Sequence, residues 1–261
     1  MKGEVARSAL YCPGDRPDRF DKARFSGADI LILDLQDSVA ANQKLNALGY
    51  VSEYLSSLTV EDRRTIQVRV DSKTEVPTEL MPFAKDLAIR LPQVEHPDDL
   101  SQWSEFREII ALVESARGIR RIDDIAASSL VSALAIGELD LTTELGGNDP
   151  SLINHLRIEL LLASAAAELP APMMSAWTQL SNQEGLRKDC DQGLALGFAG
   201  RTAIHPKQVE VINRVFSASP SEDRATRALG VLGTQGGVGV DEEGNMIDGA
   251  MLRVRRNKFS N

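Results

Sequence analysis

The sequence predicts a (β/α)8 barrel, a TIM barrel, from three observations. Short apolar runs alternate with longer helical stretches eight times over. The runs are apolar on both faces, as parallel strands are when helices cover one side and a packed interior the other. Polar and charged residues gather where these runs end. In α/β folds that edge is where ligands bind.

The strand-like runs are residues 8–13, 29–35, 65–70, 86–92, 108–114, 132–138, 171–177 and 202–206. Helix-like stretches lie at 16–26, 40–57, 75–83, 97–105, 117–127, 150–168, 181–196 and 207–217, the last starting just after Pro206 as helices favour. Right-handed crossovers then close the strands into a barrel spanning residues 1–217. Residues 218–261 form a separate C-terminal arm, helical over 218–230, then Gly-rich, then basic. Its apolar Met246, Ile247, Met251 and Leu252 suit an arm that packs on a neighbouring subunit better than a solvated tail.

Composition narrows the function classes. At 261 residues the chain can bury a large core, and its 43% hydrophobic content is that of a globular protein. A net charge of −9 argues against a general nucleic-acid or anionic-membrane binder, although Arg120–Arg121 and Arg255–Arg256 are local basic pairs. Two cysteines, Cys12 and Cys190, are too few for a secreted disulfide scaffold. There is no signal-peptide core and no membrane-length apolar run, so the expected setting is cytoplasmic.

The strand ends carry the chemistry. They present Pro13-Gly14-Asp15-Arg16; Asp34, Gln36 and Asp37; Arg69 and Asp71; Gln93 and Glu95; Glu114; Glu138 and Asp140; Trp177; and His205. Glu114 and Asp140 close neighbouring strands, and two converging carboxylates suit a hard cation such as Mg²⁺. A solvated rim acid, or a helix cap for Asp140, is the bland alternative. Arg69 suits a bidentate grip on a carboxylate, or else a salt bridge to Asp34 or Asp37. His205 before Pro206 reads as a turn cap, and Cys12 as a small buried thiol.

Taken in order, RSALYCPGDRPDRFDKA, ILDLQDSV, VRV, LPQVE, ALVESARGI, GELDLTTELG, IHPKQVEVIN and GNMID resemble the citrate lyase β-subunit-like branch of the HpcH/HpaI aldolase superfamily, which includes malyl-CoA and citramalyl-CoA lyases. The resemblance implies a Mg²⁺-dependent barrel that cleaves or forms a carbon–carbon bond in a short 3-hydroxyacyl-CoA, giving a 2-oxo acid and acetyl-CoA. It implies metal ligands at Glu114 and Asp140 and a substrate-carboxylate arginine at Arg69. An acid reaching a neighbouring active site falls on Asp248, in a homotrimer or homohexamer. Arg16, Asp37 and Lys44 match positions that frame the pocket. Backbone N–H groups around Glu138 and Leu139 would face the substrate.

The chain departs from the family pattern at Gln36, Asp71 and Gln93, and at Met174, Gln179 and Asn182 of the seventh strand region. These changes leave other readings open: a thioesterase or synthase on the same scaffold, or a catalytically reduced barrel that binds acyl-CoA. A CoA-independent 2-oxo-acid aldolase is disfavoured, since such relatives more often carry an early histidine base and none precedes His96.

Overall fold

The computed structural model of the chain describes residues 6–72, 74–217, 238–240 and 246–248. Eight parallel strands form a nearly closed barrel: β1 (Ser8–Pro13), β2 (Ile30–Asp34), β3 (Ile66–Arg69), β4 (Ala88–Leu91), β5 (Glu108–Val113), β6 (Ala133–Ile136), β7 (Met173–Met174) and β8 (Gly200–Ala203). The ladder runs β6-β5-β4-β3-β2-β1-β8-β7. The remaining seam lies between β6 and β7. The Glu138 N–H crosses near it to Ser175 Oγ, 3.4 Å away.

The helices are α1 (Phe20–Arg24), α2 (Lys44–Ser57), α3 (Val60–Arg63), α4 (Ala116–Ile119), α5 (Ile122–Ala127), α6 (Glu138–Leu145), α7 (Pro150–Ala166), α8 (Gln183–Leu196) and α9 (Pro206–Phe216). Two crossovers are leaner than expected. Between β3 and β4, and between β4 and β5, the helix-like stretches form only 3₁₀ segments, Met81–Phe83 and Pro97–Trp103. The expectation for 132–138 needs correction as well. β6 stops at Ile136, and α6 starts at Glu138 behind an N-cap at Gly137. Asp140 is therefore the third residue of a helix rather than the end of a strand. Glycine interrupts the apolar run, and the ELDL segment that follows repeats at helical spacing.

Period-two alternation sorts the strand residues. Leu31, Leu33, Ile66, Val68, Ile89, Leu91, Ala111 and Val113 belong to the large core that includes helix residues. On β4, β5 and β6 the opposite positions, Ala88, Ile110, Leu112, Ala133 and Ala135, form a second, smaller cluster. Small residues there leave room for long polar side chains from β3 and β4.

Of the C-terminal arm, the described part is an antiparallel pair, β9 (Val238–Val240) and β10 (Met246–Asp248), with Met246 opposite Val240 and Asp248 opposite Val238. The helix expected over 218–230 lies outside the described residues. No described helix is long and apolar enough to cross a membrane.

Candidate active site

Glu114 follows β5 directly and is buried. Ser115 turns the chain into α4 by accepting the Gly118 N–H at 3.1 Å, which fixes where Glu114 points. Glu114 Oε1 accepts the backbone N–H of Gln93 at 3.0 Å. Gln93 makes that contact from a left-handed conformation, φ 55°, which costs a non-glycine residue about 1 kcal/mol. Across the next strand, Gly137 brings the second carboxylate alongside. A Cβ added at Gly137 would lie 2.5 Å from Glu114 Cβ, 2.7 Å from its Oε2 and 3.5 Å from Asp140 Oδ2. Glycine is what lets the two acids share one space.

Burial, and then the charge of Asp140, push the Glu114 carboxyl up to about 7. Burial, and then the charge of Asp37, also raise Asp140. A carboxyl whose ionisation a neighbouring carboxylate disfavours gains from a cation between the two. Among the described residues no group of three or more His, Cys, Asp or Glu side chains is arranged to hold a metal. A two-carboxylate donor set nevertheless fits Mg²⁺, which keeps several waters and takes its remaining oxygens from substrate.

Glu114 and Asp140 lie on the lining of two cavities. The inner one, about 390 Å³, is also lined by Tyr11, Asp34, Asp37, Arg69, Arg90, Met174, Ser175 and Thr202. The outer one, about 960 Å³, runs past Gln93, His96, Ser115, Arg117 and Arg121. Arg69 enters the inner cavity from the end of β3. Its Nε and Nη2 donate to Asp34 at 2.7 Å each, and Nη1 donates to Asp37 at 3.1 Å. Burial alone would raise Asp34, but the hydrogen bonds and charge of Arg69 hold it below the usual carboxylate range.

The other expected positions sit at different distances from this centre. Asp37 lines the inner cavity and is largely exposed. Leu139 also lines it, 64% exposed at the mouth. The Glu138 side chain turns away to Arg157, leaving its backbone near the pocket. Arg16 pairs with Asp18, and Lys44 pairs with Asp71 at 3.0 Å. Neither Arg16 nor Lys44 is among the described residues that line the two cavities. Gln36 is buried, and its Oε1 has no hydrogen-bond partner among the described residues. His205 caps α9, with Nδ1 accepting the Lys207 N–H. Asp248 is placed only as a residue of β10.

Two features escaped the sequence reading. Arg90, in mid-strand on β4, reaches the inner cavity although only 4% of it is exposed. A lone arginine inside the apolar run AIRL was the available signal. The second is a buried ion network behind the β6–β7 seam. Arg157 donates to Glu138 at 2.7 and 3.0 Å and to Asp189 at 2.9 and 3.0 Å, and Arg201 donates to Asp189 at 2.6 Å. Its members come from α6, α7, α8 and β8, so no local pattern announces it.

The sequence profile of the HpcH/HpaI aldolase/citrate lyase family matches residues 7–206. The chain belongs to the HpcH/HpaI aldolase/citrate lyase family. It is 34% identical over 225 residues to a (3S)-malyl-CoA thioesterase of Cereibacter sphaeroides, covering 83% of this chain and 79% of that protein. It is 29% identical over 267 residues to an L-malyl-CoA/beta-methylmalyl-CoA lyase of the same species, covering 87% and 83%. Among solved structures, CitE of Mycobacterium tuberculosis in complex with magnesium, acetoacetate and coenzyme A superposes with a TM-score of 0.79 at 29% identity, over 95% of this chain and 94% of that one. This family member shares the barrel of CitE, and its family includes both lyases and thioesterases of malyl-CoA.

Proposed function

We propose that this protein is a Mg²⁺-dependent carbon–carbon lyase that cleaves, or forms, a short 3-hydroxyacyl-CoA such as malyl-CoA or citramalyl-CoA. The observation that carries the reading is the pair Glu114–Asp140 at the wall of a barrel-mouth cavity, with the Arg69 guanidinium in the same space. Glu114 and Asp140 would hold Mg²⁺, and the solved relative that contains magnesium, an oxo acid and coenzyme A supports that cofactor and ligand set. When bound, the cation supplies charge that acidifies the substrate hydroxyl and favours the ketone.

Arg69 keeps its position through Asp34 and Asp37 and has N–H groups left over for a substrate carboxylate. The C3 hydroxyl gives up its proton as the bond between C2 and C3 breaks, which leaves C3 as the carbonyl of a 2-oxo acid. The electron pair passes to the acetyl carbon, which must then take a proton. Asp248, from a neighbouring subunit of a homotrimer or homohexamer, is the proposed group for that transfer. Arg16, Lys44 and the Glu138–Leu139 backbone frame the path of the thioester.

Thioester hydrolysis on the same scaffold is the second reading, favoured by the identity to the malyl-CoA thioesterase. A panel of 3-hydroxyacyl-CoA substrates assayed for free thiol and for 2-oxo acid separates the two. A lyase yields 2-oxo acid without free CoA, and free CoA as the sole product overturns the lyase assignment. Glu114→Gln keeps the side-chain shape but should lose more than about 100-fold in Mg²⁺ affinity and turnover, since even residues behind a metal ligand cost 10–100-fold.

A further inference from the structure

Among the buried arginines, Arg90 stands apart. Arg157 and Arg201 meet carboxylates at 2.6–3.0 Å, and Arg69 meets two. Arg90 is as buried as they are, but its hydrogen-bond partners are neutral, and the charge of Glu114 acts on it only from beyond ion-pair distance. Nε donates to Gln67 Oε1 at 3.1 Å, and Cζ sits 6.0 Å from the centre of the Tyr11 ring. No carboxylate of the described residues forms an ion pair with it. A guanidinium taken out of water without a carboxylate paired to it is costly, and an aliphatic side chain would fill a strand interior at no such cost.

The position says what the charge faces. Arg90 is in register with Arg69 on β3 and with Ile110 on β5, four residues before Glu114. Both guanidinium groups therefore lie in the strand layer beneath Glu114, and both stand within 6.0 Å of the same Tyr11 ring centre. Arg90 lines the same inner cavity as Arg69, together with Leu112 and Ala135, and that cavity leaves space beside it. A ligand whose first carboxylate meets Arg69 can extend towards Arg90 only with a group that the buried cation attracts.

We infer that Arg90 is a second carboxylate-recognition residue, so that the acid half of the preferred substrate is dicarboxylic: a 2-oxo diacid and its parent hydroxyacyl thioester, with one carboxylate more than the acid halves of malyl-CoA and citramalyl-CoA. This rests on the Mg²⁺ and 2-oxo acid reading given above. Arg69 orients the carboxylate next to the reacting carbon, and Arg90 selects for the distal one.

The test titrates the full-length protein, in Mg²⁺, with pyruvate, oxaloacetate and 2-oxoglutarate by calorimetry. The wild type should bind at least one diacid about tenfold or more tighter than pyruvate, the gain of a charge-assisted hydrogen-bonded pair. Arg90→Gln should erase that preference while leaving pyruvate affinity within about twofold, and Arg90→Lys should retain part of it. A wild type without diacid preference overturns the inference, as does an Arg90→Gln variant that weakens all three ligands equally. Melting curves of both variants identify a loss of fold, and the wild-type preference stands as a test even then. If pyruvate binds without discrimination, only the role of Arg90 falls. If no 2-oxo acid binds in Mg²⁺, the proposed function falls with it.

Discussion

Behind the β6–β7 seam, Arg157 and Arg201 meet Glu138 and Asp189 in a network of ion pairs, while at the β4–β6 side of the mouth Glu114 faces Asp140 and Arg90 hydrogen-bonds to the neutral Gln67. Both regions bury charge in the same barrel. In the first, every charge has its opposite within hydrogen-bond distance. In the second, like charges crowd and one cation forms no ion pair among the described residues, so the arrangement gains most when ions of the right sign arrive. Binding sites in folded proteins are where such imbalance is retained.

The contrast can be broken at the balanced end first. Arg157→Met leaves Glu138 and Asp189 without their shared cation, and should cost about 3–5 kcal/mol in urea unfolding, the usual penalty for removing one partner of a buried pair. A loss under 1 kcal/mol would mean the network is solvated and the contrast false.

Asp34 tests the boundary between the regions, since it is balanced by Arg69 yet lines the cavity. Asp34→Asn should cost about 2–3 kcal/mol at neutral pH, in the range for charge-assisted hydrogen bonds. Because Arg69 depresses its folded pKa, the stabilisation is fully present above the unfolded value of about 3.9 and is lost as pH falls through the lower folded value. Wild-type and variant unfolding curves should therefore converge below about pH 4. A gap that stays constant from neutral pH down to pH 3 would assign the effect to something other than the Asp34–Arg69 pair.

The smallest change is Gly137→Ala in the unbalanced region. Its φ of −99° suits alanine, so the effect comes from the contact with Glu114 alone. We expect a loss of about 1–2 kcal/mol from overpacking, together with weakened Mg²⁺ binding by calorimetry as Glu114 is displaced. Unchanged Mg²⁺ affinity would show that the two acids need no glycine between them.

Much of the fold was legible because it is written in local periodicity. Each of the eight strands falls within or beside its apolar run, and the long helices α2, α7, α8 and α9 fall where the pattern places them. What failed was local too. The short β7, the 3₁₀ crossovers and the start of α6 depend on chain lengths and on single residues such as Gly137 that periodicity does not weigh. In the candidate site, Glu114, Asp140 and Arg69 were legible as charges at the ends of apolar runs. Arg90 was not, because alternation gives the face of a mid-strand residue but not what lies across the barrel from it. Arg157 was not, because its partners lie 19 and 32 residues away.

By itself the sequence determined the alternation of strands and helices, the clustering of polar groups at one end of the barrel and the family. Those follow from hydrophobic burial and strand period, which act between near neighbours. Only the tertiary structure decided which charges cancel and which do not. Charge balance depends on distances between side chains from different strands, and barrel closure sets those distances: Glu114 beside Asp140 across Gly137, and Arg90 beside Tyr11 with no carboxylate of the described residues at ion-pair distance.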